Sequence, residues 1–326
     1  MTQVTPPALL MDNHKGAFLF WKSLGISGAA CLHVDAHLDV SNFQIPEPGD
    51  VAHADLNCGN FLYSALQEGT ITHLVWILPP HLFAARDPGT PSTEPSLLAW
   101  ARHELPRWMW LTVDESKSLR QDGTRVEGTL VGARLTLCTF DDVPWTDLAG
   151  PLLVDIDVDY FFDFDDTVWQ SPLTLCERLS VPKPQAITVA SSVEGGYTPP
   201  HYRCLADICL LALTGRAAEA AALWQGLERA PPGADGVEES APLEAPAWWH
   251  AARHAIAAHR TRGGYDGAGW EAAAALDPAY RIRPLDVASF YIHRKDYVRC
   301  LQWLERVEGD EELLAARYLR GLVGWR

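Results

Sequence analysis

Two short stretches gather ionisable side chains at the ends of apolar runs. His33-Val34-Asp35-Ala36-His37-Leu38-Asp39 closes a run that begins at Ala29, and Asp155-Ile156-Asp157-Val158-Asp159 closes Leu152-Leu153-Val154. In both, the ionisable residues recur at every second position, so they share one face if the strand continues. Burying unpaired carboxylates is costly, and crowded like charges raise one another's pKa. A bound divalent cation removes both penalties by turning the carboxylates into ligands. The alternative for each stretch is a solvated acidic strand end, since acidic groups are mostly exposed. Should the two ends meet above one sheet, they supply oxygen donors with one or two imidazoles and no thiolate. That set favours manganese or magnesium over zinc. Six such ligands suffice for a metal pair about 3.5–4 Å apart that activates water for hydrolysis.

The elements that must position these groups are legible as apolar runs. Ala29 to Asp35, His73 to Leu78, Arg134 to Phe140, Leu152 to Asp159 and Ala186 to Ser191 read as strands, with Trp108 to Val113 a weaker candidate. Helices are expected at Lys15 to Leu24, Asn60 to Glu68 and Ser96 to Glu104, the last stopped by Pro106. Continuous apolar strands interleaved with helices imply a parallel sheet covered on both faces. Ligands of such a sheet bind beyond the carboxyl ends of its strands, where the polar residues above fall.

After about Leu213 the strand-like runs stop and alanine-rich helical periodicity takes over, as in Arg216 to Arg229 and Trp248 to Arg262. Trp270 to Leu276, Leu285 to His293, Tyr297 to Val307 and Glu311 to Trp325 continue it, while Ala230 to Pro246 reads as an exposed linker. Two domains are therefore expected, 1–214 carrying the chemistry and 215–326 an α-helical accessory domain that weakly resembles a tetratricopeptide-like repeat.

Composition excludes several classes. The 326 residues carry 26 basic and 42 acidic side chains, a net charge of −16, which repels nucleic acid and anionic lipid and attracts a cationic substrate. Hydrophobic residues at 48% and charged residues at 21% fit a globular protein. The seven cysteines are odd in number and scattered without a C-x-x-C pair, an expectation of reduced thiols and a cytoplasmic location. No run approaches the length of a membrane helix. Asp163, Asp165 and Asp166 lack the glycine and distal glutamate of an EF-hand, and no P-loop, Rossmann glycine run or nucleophile elbow occurs.

Asp35-Ala36-His37-Leu38-Asp39 resembles the D-A-H-x-D motif of the ureohydrolases, the arginases and agmatinases, and Asp157-Val158-Asp159 resembles their S-x-D-x-D strand. Asp12-Asn13-His14 stands where that family carries an upstream histidine ligand. Together with Ser191-Ser192-Val193-Glu194, these stretches look most like the branch that includes peptide arginases, over roughly residues 7–201. The resemblance implies a three-layer α/β arginase/deacetylase-like parallel sheet followed by the helical accessory domain. It implies two Mn2+ ions per chain, with Asp35 and Asp157 bridging, His14 and Asp39 completing one site, and His37 and Asp159 the other. Asp155 with Asp157 could equally fill the second-strand pair. Asp157 and Asp159 are preferred because Pro151 to Val154 then matches the apolar lead-in and Asp155 takes the family's serine position. His33 is expected behind the ligands or as a satisfied core histidine.

By the same resemblance Glu194 reads the substrate guanidinium, which a carboxylate can grip through two parallel hydrogen bonds. Gly195-Gly196 after it reads as a turn suited to close approach of a ligand. Asn60 either contacts substrate or caps the helix that follows it. The proton-shuttling histidine of free-arginine enzymes has no clean match in Asp55-Leu56-Asn57-Cys58-Gly59-Asn60. The implied activity is conversion of arginine within a ribosomally made precursor peptide to ornithine, releasing urea, with the Trp-bearing helical domain holding the peptide. Two rivals stand beside it: hydrolysis of a small cation such as agmatine, a guanidino acid or an acylated amine, and a noncatalytic helical adaptor with a degenerate α/β domain. Retention of all six ligand types argues against degeneration.

Overall fold

The computed structural model describes residues 5–43, 56–84, 97–229, 245–262, 264–265, 267–308 and 310–324. Asp55, Ser96, Trp325 and most of the linker after Arg229 lie outside them. The chain forms two compact units, Met1–Ala190 and Ser191–Arg326.

The first unit is α/β. Its strands are β1 (Ala8–Met11), β2 (Ala29–Val34), β3 (Ile71–Ile77), β4 (Arg120–Asp122), β5 (Arg125–Leu130), β6 (Ala133–Cys138), β7 (Leu152–Asp157) and β8 (Ala186–Ala190). They form one sheet in the order β1-β8-β7-β2-β3-β6-β5-β4. The six strands from β1 to β6 in that order pair parallel, and β5 and β4 extend the edge antiparallel. Every residue of β2, β7 and β8 is buried, which accounts for their mostly apolar character and makes His33, Asp155, Asp157 and Thr188 the exceptions. From β2 the crossovers run outward through β3 to β6, and from β7 they run the other way to β8. The connections leaving the paired strands β2 and β7 therefore run to opposite sides, the switch point beyond whose carboxyl ends such sheets bind ligands.

The helices of this unit are α1 (Gly16–Ser23), α2 (Phe61–Gln67), α3 (His81–Ala84), α4 (Leu97–Trp108), α5 (Val113–Ser118) and α6 (Pro172–Ser180). Trp21 of α1, Phe61 and Leu62 of α2, and Leu74 and Leu135 of the sheet are fully buried in one core cluster. Each such side chain contributes about 1.5–3 kcal/mol.

Several sequence expectations need correction. Pro106 does not stop α4 but lies inside it. The lost hydrogen bond falls in the last turn, and Leu97, Ala101 and Leu105 hold the helix down by a buried stripe at i, i+4, i+8. Trp108 to Val113 is not a strand. Trp108 ends α4, and Val113 starts α5 behind a capping box in which Thr112 and Glu115 satisfy each other's backbone N–H. Strands β4 and β5, which pair antiparallel beyond the expected β6, were not foreseen: β4 is an exposed Arg-Gln-Asp without an apolar signal, and Glu127 and Thr129 interrupt the apolar residues of β5. Tight links join these strands: Gly123 has a positive φ, and so do Val131 and Gly132 between the paired Leu130 and Ala133.

The second unit contains α7 (Cys204–Leu213), α8 (Ala217–Glu228), α9 (Ala247–Arg262), α10 (Ala268–Leu276), α11 (Pro284–His293), α12 (Tyr297–Leu304) and α13 (Asp310–Gly324). Consecutive helices pack in pairs, α7 with α8, α9 with α10 and α11 with α12. The unit begins at Ser191, ahead of the change in texture near residue 214, because α7 packs on α8 and α9. Among the described residues no helix is long and apolar enough to cross a membrane.

Candidate metal centre

The cluster is assembled just past three strands. Met11 of β1 pairs with Ala190 of β8, and the turn after it delivers His14, closed by hydrogen bonds from Gly16 N to Asn13 O and from Ala17 N to His14 O. Strand β2 supplies His33 and ends at Val34, so Asp35 sits at the strand's mouth and His37 on the bend beyond. Strand β7 supplies Asp155 and Asp157, then tightens into a 3-10 turn, Val158–Phe161, that carries Asp159. Neither strand runs on as far as the period-two pattern implied. Turns, not continued strands, bring the later residues round.

His14 and Asp35 are buried, and His14 Nδ1 lies 3.4 Å from Asp35 Oδ2 and 3.2 Å from both Asp39 Oδ2 and Asp157 Oδ2. On the other side, His37 Nδ1 lies 2.7 Å from Asp159 Oδ2 and 3.7 Å from Asp35 Oδ1. Asp35 thus presents one oxygen to each group. Donor atoms in cation-holding proximity occur in His14, Asp35 and Asp39, in Asp35, His37 and Asp159, and in His14, His33 and Asp155.

Backbone contacts hold the acidic loops. His37 N donates to Asp35 Oδ1 at 2.6 Å, Ala36 N to Asp159 Oδ1 at 3.3 Å and Asp159 N to Asp157 Oδ1 at 3.2 Å. Asp39 adopts a left-handed φ of 52°, a conformation aspartate tolerates, and its carbonyl accepts from Leu62 N in α2. The Phe61 ring, next on α2, lies 4.6 Å from the His14 ring and forms an apolar wall behind it.

The electrostatics are those of a negative pocket balanced by protons. Burial, then the charges of Asp159 and Asp157, raise Asp35 above the ordinary carboxylate range. Burial and the charge of Asp35 push Asp39 up to about 6. Burial opposes charge on His14, yet the ionised carboxylates, Asp155 foremost, hold it well above an ordinary histidine. The same contest at His37 is won by Asp159, which is itself held low by that imidazole against the effect of burial. A divalent cation would do the work of these protons.

Asp155 is fully buried and touches two of the cluster's imidazoles. Its carboxylate is 2.8 Å from His33 Nδ1 and 3.1 Å from His14 Nε2, and accepts from Thr188 Oγ1 at 2.5 Å. Thr188 was not anticipated. Its only sequence signal is one hydroxyl in the apolar run of β8, and the pairing of Asp155 with Thr188 across β7 and β8 gives it meaning.

Asn60 is buried at the N-cap position of α2 but makes no side-chain cap; its Oδ1 accepts from Asn57 N at 2.8 Å, closing the preceding turn. Glu194 belongs to the second unit, where its half-exposed carboxylate lies 3.0 Å from Arg283 Nη2. Arg283 also forks onto Asp286. The close approach expected at Gly195-Gly196 is made by the chain itself. Gly196 has φ +77°, and a Cβ there would come within 2.5 Å of the Ser289–Phe290 backbone of α11. Arg294 donates to the Gly196 and Tyr197 carbonyls and fastens the segment further.

No family model matches this chain, and no curated protein matches it. Among solved structures, a crystal structure titled as a hypothetical agmatinase from Burkholderia thailandensis is similar at 16% identity with a TM-score of 0.35. The match covers 66% of this chain and spans 61% of the length of that one. At that level the likeness carries no functional argument, and the residues themselves must carry it.

Proposed function

We propose that the cluster holds two divalent cations and that the protein is a metal-dependent hydrolase of the ureohydrolase type. The observation that carries this reading is Asp35, a buried carboxylate with one oxygen beside His14 and the other beside His37, whose ring also meets Asp159. The residues fit the group: His14 Nδ1, His33 Nε2 and Asp35 Oδ2 are buried polar atoms without hydrogen-bond partners among the described residues. His14 and Asp39 would hold one ion, His37 and Asp159 the other, with Asp35 and Asp157 between. The oxygen-rich donor set favours manganese. Bound there, the ions would lower the pKa of a water molecule and make it a nucleophile near neutral pH.

The chain's own part is binding and orientation. Asp35, Asp39, Asp157 and Asp159 would be taken up by the ions, while the chain's acidic excess, a net charge of −16, favours a cationic substrate. We infer that the cation is the guanidinium of an arginine side chain within a peptide. Water adds across its C–N bond, urea leaves, and the nitrogen retained on the side chain becomes the ornithine amine. Glu194 would grip the guanidinium through paired hydrogen bonds, a role that requires it to exchange Arg283 for substrate. The paired helices of the second unit would hold the flanking peptide, and binding energy gathered there would be used to position one arginine.

The test is elemental analysis of protein purified with manganese, followed by mass spectrometry of free arginine, agmatine and arginine-containing peptides after incubation. Two ions per chain and conversion of peptidyl arginine to ornithine are expected. Absence of tightly held metal would sink the hydrolase reading. Turnover of free arginine or agmatine with peptides untouched would keep the reaction type and overturn the peptide substrate.

A further inference from the structure

We propose that Asp155 is a positioning residue that fixes the orientation of two imidazoles at once, so that His14 faces the cluster through Nδ1 and His33 through Nε2. Asp155 lies at 0% exposure, and each of its described hydrogen-bond partners can donate: the ring nitrogens His14 Nε2 and His33 Nδ1, and the hydroxyl Thr188 Oγ1. A carboxylate that only accepts requires a proton on each nitrogen facing it. His14 therefore carries hydrogen on Nε2 and His33 on Nδ1. The opposite ring atoms, His14 Nδ1 and His33 Nε2, lie 3.4 Å and 3.3 Å from Asp35 Oδ2 without hydrogen bonds.

The arrangement follows from register. Asp155 pairs with His33 on β2 and with Thr188 on β8, so the two neighbouring strands present both partners to one side chain. Thr188, with its hydroxyl spent on Asp155, holds the carboxylate from the side away from β2. Outer carboxylates that orient ligating imidazoles in this way typically change metal affinity 10–100-fold when removed. That consequence rests on the metal reading above, whereas the placement of the two protons does not.

The experiment uses the full chain with 15N-labelled histidine. In the wild type, slowly exchanging protons are expected on His14 Nε2 and His33 Nδ1, with or without diamagnetic Mg2+. A bare Nε2 on His14 would overturn the proposal, whether or not any variant folds. Asp155→Asn can turn only one oxygen towards the two rings. It should mix the ring orientations and weaken Mn2+ binding 10–100-fold while circular dichroism stays that of the wild type, and Thr188→Val should weaken binding less. Unchanged histidine spectra together with unchanged Mn2+ affinity in Asp155→Asn would also overturn it. Wild-type protein that binds no divalent ion would defeat the metal reading while leaving the proton placement to be judged by the spectra.

Discussion

Buried histidines occur in both units, and their surroundings drive them in opposite directions. His14 is 1% exposed among carboxylates, and despite burial those charges hold its pKa well above that of an ordinary histidine. His201 is 5% exposed in the second unit, stacked on His259 with ring centroids 3.9 Å apart. Burial, then His259, Arg260 and Arg294, push its pKa well below the ordinary value. The residue type and burial are alike, so the sign is set by the neighbours. The first environment concentrates negative charge and needs cations. The second excludes added positive charge, which keeps His201 a packed neutral ring.

The sharpest test of this contrast is Asp35→Ala, which removes the carboxylate presented to both groups. Loss of the tightly held ions and a fall in turnover of at least about a thousandfold, roughly 4 kcal/mol, are expected. Elemental analysis and kinetics would check it; full metal content in the variant would remove Asp35 from its bridging place. Gly196→Ala should act on the helical unit alone. A positive φ costs about 1–2 kcal/mol and overpacking against α11 a further 1–3 kcal/mol or so. Thermal unfolding should register that loss with metal stoichiometry intact, and a melting curve identical to wild type would contradict the close packing described.

Glu194→Gln should keep the ions but lose about ten- to a hundredfold in kcat/KM, because a neutral amide forfeits the charge-assisted pair. Equal kinetics for the two proteins would remove Glu194 from substrate recognition and leave it as the partner of Arg283. The smallest effect is one of pH. Unfolded His201 takes up a proton near pH 6.5, the folded ring only well below that. The unfolded state therefore binds more protons as pH falls. Stability from this site is complete above about pH 6.5 and declines below it by at most about 1.4 kcal/mol per pH unit. Replacing His201 with Gln should flatten that part of the pH–stability profile, and an unaltered slope would count against the environment described.

The two units also differ in how far their organisation could be read from the chain. Strands β2, β3, β6, β7 and β8 were legible as apolar runs, and helices α8 to α13 of the second unit as periodic segments, because burial and periodicity are local signals, whereas α7 was not singled out. The edge strands β1 and β4, and β5 beside β4, were not. They are short or polar, and pairing with a neighbour, not composition, makes them strands. Pro106 within α4 shows the same limit, since tertiary packing outweighed a local helix breaker.

For the candidate centre, the sequence by itself determined the kinds of donor present and the ends of the strands that carry them. Carboxylates and imidazoles at period two in apolar runs cannot be buried without partners, and that cost is visible in the residues alone. Only the tertiary structure decided which atoms meet. The β2–β7 register set His33 opposite Asp155, and the 3-10 turn after Asp157 swung Asp159 towards His37. It also set Glu194 against Arg283, 89 positions along the chain, and turned the Gly195-Gly196 segment towards α11. These outcomes depend on hydrogen-bond register and side-chain contact between distant segments, and no local pattern of residue types encodes either.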